Sequence, residues 1–378
     1  WSFGFLRMGT TGLVSQSLGK GDYREIVLSV LRNLSVALLI SLIIIILQVP
    51  LLNLINHFFN NSTETQTLIK RYISIRVWSA PAELSIYVLA GLYIGLQQTK
   101  ISSLLLSMFS ILNIIFSYYF VVNLELNIYG VALGTVLSAY LTVAIFLIFS
   151  FFYIRNKFNI IPRYRKIFIS KKLLDLFNIN FDIFIRTVLL TFSFLWFIYQ
   201  SSKVSEDYLA ANTILLQFIM LASFFLDSYA HSTEGVIGYS LGRKVKKSFL
   251  LAVSNSFRLS FTTGLIISII YLLFFKNIIN FLTDLEYLRF LSYNFFIWIV
   301  IIPPIASLCY QYDGIFIGSS QTKDMRNSMI VSFIVFIFIS IILGKMFNNH
   351  GLWFSLLVFM VMRSLTLKFC FSNILKKF

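Results

Sequence analysis

Gly91-Leu-Tyr-Ile-Gly-Leu-Gln-Gln-Thr-Lys100 returns as Gly314-Ile-Phe-Ile-Gly-Ser-Ser-Gln-Thr-Lys323, with six of ten residues identical at an offset of 223 (314 − 91). The same offset carries Gly12 to Gly235, Ser17-Leu18-Gly19 to Ser240-Leu241-Gly242, and Pro81 to Pro304. Four separate sites on one ungapped spacing read as an internal duplication. Gly130 pairs with Gly351 at 221, a two-residue slip of the kind a loop absorbs.

The duplicated material is apolar. Hydrophobic residues make up 58% of the 378 and charged residues 12%, with a mean hydropathy of +0.83, which excludes an ordinary soluble domain. Runs near the length of a membrane span, about 20 residues, recur at 36–55, 101–122, 131–153, 188–199 with its flanks, 259–275 and 329–343. The reading is ten full spans and one partial span at the start. A long duplicated apolar chain suits a secondary transporter, in which two bundles move about a shared site.

The formal charge of +16 would suit a nucleic-acid binder, but the cations sit in short loops between spans, so no nucleic-acid partner is expected. Lys20, Arg24, Lys100, the cluster from Arg155 to Lys172, Arg243 to Lys247, Lys323, Arg326, Lys376 and Lys377 fall at every second loop. This predicts that those loops, Arg163 among them, and the C-terminus are cytoplasmic, with Asn61 and Glu206 external. Cys309 and Cys370 form no C-x-x-C pair and read as packing residues, so neither a disulfide nor a metal site is indicated. Asn60-x-Ser62 and Asn61-x-Thr63 match the glycosylation pattern only weakly.

The expected domains are an N-lobe over 1–154, a basic linker over 155–176 and a C-lobe over 177–378. The C-lobe spans are expected at 177–201, 207–242, 248–275, 287–320, 325–344 and 350–371. The linker has seven cations before Asp175 and contains Pro162. It reads as a solvated connector or as a helix lying on the leaflet surface. If the second unit starts near Leu173, the first would start at −50 (173 − 223). About 50 residues, roughly one and a half spans, are therefore expected ahead of Trp1, and 1–18 reads as the end of a span.

Charge at span depth costs about 2.5–3.5 kcal/mol, so intramembrane acids are functional candidates. Asp227, His231 and Glu234 are spaced i, i+4, i+7 and share one helical face. Asp313 follows Tyr310 and Tyr312 and immediately precedes the repeated Gly-x-x-x-Gly. Neither Glu234 nor Asp313 has a cation within one turn in sequence, so these two are expected to face a common cavity and carry the coupling ion. Asp182 and Arg186, at i, i+4, are expected to form a structural ion pair, and Glu83 a local polar contact. Gly91, Gly95, Gly314 and Gly318 let helices approach closely. The sequence contains no catalytic set and no metal-ligand cluster.

Phe5-Leu-Arg-Met-Gly-Thr-Thr-Gly-Leu-Val-Ser-Gln-Ser-Leu-Gly19, Trp78-Ser-Ala-Pro-Ala82, Ile111-Leu-Asn-Ile114 and Leu226-Asp227 with Glu234 resemble the multidrug and toxic compound extrusion (MATE) transporters. Asp313-Gly-Ile-Phe-Ile-Gly318 and Met325-Arg-Asn-Ser-Met329 narrow the resemblance to the DinF-type branch. It implies an all-α integral membrane protein of twelve helices, in two six-helix lobes about a V-shaped cavity. It also implies a monomeric, multi-pass antiporter of the bacterial inner membrane, not an enzyme. Such a protein would export organic or cationic drugs or toxic metabolites, with H+ or Na+ as coupling ion, no other cofactor, and lipid and a small organic molecule as partners. On this resemblance Glu234 and Asp313 fall on acids that serve cation coupling in the C-lobe. Two departures stand out: the family's first helix, with its aspartate, lies outside the chain, and Ser117 stands where relatives often carry aspartate. The competing readings are a lipid-linked oligosaccharide flippase, which needs a more cationic cavity, and a membrane-embedded prenyl-transfer enzyme, which would concentrate acids in cytosolic loops.

Overall fold

A computed structural model describes residues 2–50, 52–53, 63–158 and 169–378, apart from the side chains of Ser2, Thr63, Glu64 and Ser170. Asn60, Asn61 and Arg163 fall outside it, as does 159–168 of the linker expected over 155–176, whose ends at 155–158 and 170–176 are helical. The described chain is helical and divides into two compact units, Phe3–Phe177 and Asn178–Phe378. Unit 1 contains α1 Phe5–Lys20, α2 Tyr23–Ile46, α3 Thr63–Arg76, α4 Ala80–Gly95, α5 Thr99–Tyr118 and α6 Asn127–Phe158. Helix α7, Ser170–Val204, leads into unit 2, which continues with α8 Glu206–Gly242, α9 Lys246–Leu282, the short α10 Glu286–Tyr293, α11 Phe296–Gly318 and α12 Thr322–Leu375.

Nine helical segments among the described residues are long and apolar enough to cross a membrane. The sequence reading gives ten full spans, and the difference lies in α12. Its 54 residues cover both 325–344 and 350–371, joined at Asn348, whose φ of 50° and ψ of −132° interrupt the helix. At 1.5 Å per residue α12 is about 80 Å long, more than twice a bilayer core, so it turns back at Asn348.

The duplication is visible inside each unit. Helices α2 and α5 begin at Tyr23 and Thr99, and α9 and α12 begin at Lys246 and Thr322, each pair 223 apart. Left-handed backbone recurs with the same spacing, at Gly21 (φ 72°) with Lys244 (φ 56°) and at Gln97 (φ 60°) with Ser320 (φ 51°). Asn127 (φ 49°) and Asn348 (φ 50°) match at 221, on the far side of the slip.

The repeated glycines mark where backbones touch. A Cβ on Gly91 would strike the carbonyl of Arg7, and one on Gly314 the carbonyl of Ala230, 223 residues further on. Gly95 lies on Thr11 and Gly318 on Glu234; Gly130 lies on Phe120 and Gly351 on Leu343. Three contacts thus recur with both partners displaced by the repeat. Each is an approach that only a residue without a side chain permits, and this close packing is what holds helices together where lipid removes the hydrophobic drive.

The proline pair differs between units. Pro81 sits in the first turn of α4, where its missing N–H costs no hydrogen bond. Pro304 lies inside α11 beside Pro303 and frees the Val300 carbonyl four residues back. Ser268 of α9 donates its hydroxyl to that carbonyl at 2.6 Å, supplying the bond that proline removed. At the other end of unit 2, Asn212 and Asn349 exchange amide hydrogen bonds at 2.6 and 3.0 Å. Asn212 also donates to Ser201 at 2.8 Å and accepts from Trp353 at 2.8 Å. This buried network ties α7 and α8 to the residue following the Asn348 kink.

Gly314→Ala should destabilise the protein by about 1–3 kcal/mol, because the new methyl would sit 2.7 Å from the Ala230 carbonyl oxygen. Gly344→Ala, with no atom within 4 Å, should be neutral or stabilising by up to about 1 kcal/mol. Thermal unfolding of the two purified variants checks this; equal midpoints would show that the backbone contact does not matter.

Candidate functional site

Helix α11 carries the repeated glycines on the side that faces α8, and its Asp313 immediately precedes the first of them. That position leaves Asp313 only 5% exposed. An isolated buried carboxylate is costly, and unit 2 compensates with two arginines. Arg363 of α12 donates from Nη2 to Asp313 Oδ2 at 2.6 Å, and Arg186 of α7 donates to the same oxygen. Arg363 is 1% exposed. Its guanidinium lies over the rings of Tyr310 at 5.9 Å and Phe359 at 5.5 Å, so part of its charge is met by aromatic faces. One carboxylate therefore holds three helices, α7, α11 and α12, at a single point.

This corrects the pairing expected from sequence. Arg186 lies one helical turn from Asp182, yet it turns to Asp313, while Asp182 accepts from Arg326 at 2.7 Å and Thr322 at 3.0 Å. The physical reason is depth: Arg326 lies at the start of α12, level with Asp182, whereas the interior Asp313 has no solvent to replace Arg186. The expectation that Asp313 lacks a neighbouring cation also fails. Its arginines come from positions 127 and 50 residues away, beyond any one-turn search.

Glu234 of α8 is 1% exposed, and its main-chain carbonyl lies against Gly318. Thr233 beside it donates to Gln311 Oε1 at 2.9 Å, and both residues are buried. Glu234 thus stands about one turn beyond Asp313 along the α8–α11 seam. Asp227 and His231 are half-buried on α8. Asp227 is close enough to Tyr310 and Cys309 to act on both electrostatically, and Tyr310 shares a 2.7 Å hydrogen bond with Ser223. Among the described residues, no hydrogen-bond partner meets three buried donors around Asp313: Arg186 Nε, Arg363 Nε and Gln311 Nε2. Among the described residues no three His, Cys, Asp or Glu side chains gather as metal ligands.

Arg363 and Arg326 are the partners of the candidate acids that the sequence reading missed. A signal was present for Arg363, a lone cation between Val361-Met362 and Ser364-Leu365 in an apolar run, because an arginine at span depth requires an acid. At the three matching positions that the given sequence covers, unit 1 carries no charge. Ala90 stands for Asp313 and Thr11 for Glu234 at 223, and Thr142 for Arg363 at 221. The charges of unit 1 lie elsewhere, with Glu25 taking Arg32 at 2.7 Å and Lys172 at 2.5 Å and Glu83 taking Arg76 at 2.5 Å.

Asp313→Asn strands two buried guanidiniums and should cost about 3–5 kcal/mol of stability, read as a large loss of folded protein in thermal unfolding. Replacing Asp313, Arg186 and Arg363 together by apolar residues should recover most of that loss. A single Asp313→Asn variant as stable as the parent would refute the clamp.

The MatE family profile matches residues 2–119 and 183–346. The chain is 31% identical over 363 residues to the DNA damage-inducible protein F of Escherichia coli K12, an alignment covering 96% of this chain and 79% of that protein. It is 24% identical to Protein DETOXIFICATION 43 of Arabidopsis thaliana, over 78% of this chain and 55% of the plant protein. Its fold is that of a multidrug resistance MATE family transporter of the MOP superfamily solved in an outward-facing conformation. The TM-score there is 0.89 at 15% identity, over 100% of this chain and 85% of that one. A mutant of a Vibrio cholerae MATE transporter matches with a TM-score of 0.87 at 17% identity, over 99% and 85% of the two chains. Sequence and fold together make this chain a member of the MatE family of membrane transporters, and not an enzyme.

Proposed function

We propose that the chain is a proton-coupled secondary antiporter that exports organic, cationic or amphipathic compounds across the bacterial plasma membrane. On this reading Glu234 is the coupling carboxylate of unit 2. The observation that carries the proposal is the placement of Glu234, buried to 1% exposure and about 12 Å, eight residues of helix, inside the end of α8. Gaining or losing one cation there changes the charge held in the unit by one. At about 2.5–3.5 kcal/mol per charge at span depth, one such change biases two conformations about a hundredfold.

Asp313 has a different part in this scheme. Bound by two arginines, it serves as a fixed counter-charge that locks α7, α11 and α12 together, leaving the exchanging step to Glu234 with Asp227 and His231 along α8. The alternation of cation-poor and cation-rich loops supports a chain that crosses the membrane repeatedly with its C-terminus in the cytoplasm.

The test is transport into or out of proteoliposomes with an imposed proton or sodium gradient. Glu234→Gln should lower gradient-driven export of a fluorescent organic cation at least about tenfold, while thermal unfolding stays near that of the parent. Export at the parental rate by a folded Glu234→Gln variant would remove Glu234 from the coupling step. Export driven by sodium and not by protons would overturn the choice of ion.

A further inference from the structure

One end of unit 2 gathers three separate turns. Helix α8 closes through Arg243, Lys244 and Val245, with Val245 N–H bonded to the Ser240 carbonyl and Lys244 in left-handed backbone. The C-terminal residues of α12 return to this place. Phe249 at the start of α9 packs its ring on Phe371 at 6.1 Å and Phe378 at 5.0 Å, and Lys377 donates to the Ser319 carbonyl in the α11–α12 turn at 3.0 Å. Arg243, Lys244, Lys246, Lys247, Lys323 and Lys376 are all exposed at this end. The two acids nearby are engaged, Asp324 with Asn373 at 3.1 Å and Asp182 with Arg326. Among the described residues, no carboxylate lies within ion-pair distance of any of the six cations.

Six like charges on one rim repel one another, and the helix starts at Lys246 and Thr322 add the positive ends of two helix dipoles. An anion is therefore the fitting partner. Directly beneath the rim the surface is apolar: Val245 is 38% exposed, Leu250 41%, Leu251 55% and Phe369 81%. Cations above exposed aliphatic and aromatic side chains match an amphipathic anion, with phosphate at the rim and acyl chain alongside α9 and α12. Arg243 stacks at 5.7 Å on Tyr239, which keeps its guanidinium at the rim.

We propose that this end of unit 2, from the α8–α9 turn to the C-terminus of α12, is a binding site for anionic phospholipid, whose singly charged phosphodiester is held among Lys246, Lys247 and Lys376. Zwitterionic lipid carries its own ammonium and does not serve.

The experiment is thermal unfolding of the purified chain in detergent, with phosphatidylglycerol, phosphatidylcholine or inorganic phosphate added in turn. Phosphatidylglycerol should raise the midpoint by about 3–5 °C at low ionic strength, and about 0.5 M salt should abolish the rise. Phosphatidylcholine should leave the midpoint unchanged. The triple variant Lys246→Gln, Lys247→Gln, Lys376→Gln should lose the rise, while Lys203→Gln with Lys276→Gln, exposed cations elsewhere in the unit, should keep it. Equal shifts with both lipids, an undiminished shift in the triple variant, or a shift with inorganic phosphate matching that of the lipid would each overturn the proposal.

Discussion

The approach of two backbones along the α8–α11 seam sets the conditions for everything else in unit 2. Gly314 and Gly318 bring α11 onto the carbonyls of Ala230 and Glu234, and at that separation no side chain fits between the helices. The polar residues flanking the seam are consequently driven to its edges, where each must find a partner from a neighbouring helix or stay buried at a cost of several kcal/mol. Thr233 finds Gln311, Ser223 finds Tyr310 and Asp313 finds two arginines. Close packing in a membrane is thus the origin of the polar wiring beside it.

Much of the fold was legible in the chain because its signals are periodic or repeated. Span length follows from apolar runs, and the repeat shows in glycines whose spacing copies their contact partners as well as themselves. The merging of two spans into α12 was not legible, since it turns on the backbone angle of Asn348, which no composition rule specifies. The site divides in the same way. Burial of Glu234 and Asp313 could be read from acids within apolar runs. The ion pairing could not, because helical spacing is local and Arg186 and Arg363 reach Asp313 across helix boundaries. The i, i+4 rule offered Asp182 and Arg186 as a pair; competition from a deeper acid decided otherwise.

The two units share a backbone plan yet handle charge differently. Unit 1 buries Arg7 and Arg32, the latter paired with the partly exposed Glu25, while unit 2 buries an aspartate together with two arginines. A common scaffold of glycine contacts and left-handed turns therefore tolerates two distinct interiors, as expected when packing of backbones, and not particular side chains, defines the architecture.

The uncharged register in unit 1, with Ala90 and Thr142 where unit 2 has Asp313 and Arg363, bears on how such a pair of halves can diverge. Introducing an aspartate alone, or an arginine alone, into a closed interior leaves a charge with no partner, so either first step is strongly unfavourable. The steps are non-additive because the residues touch. Among single substitutions at this register, only those to a neutral residue such as glutamine or asparagine avoid placing an unpaired charge in the interior of unit 1. In unit 2 the reverse holds: removing any one member of the clamp strands the others, so its three residues stand or fall together.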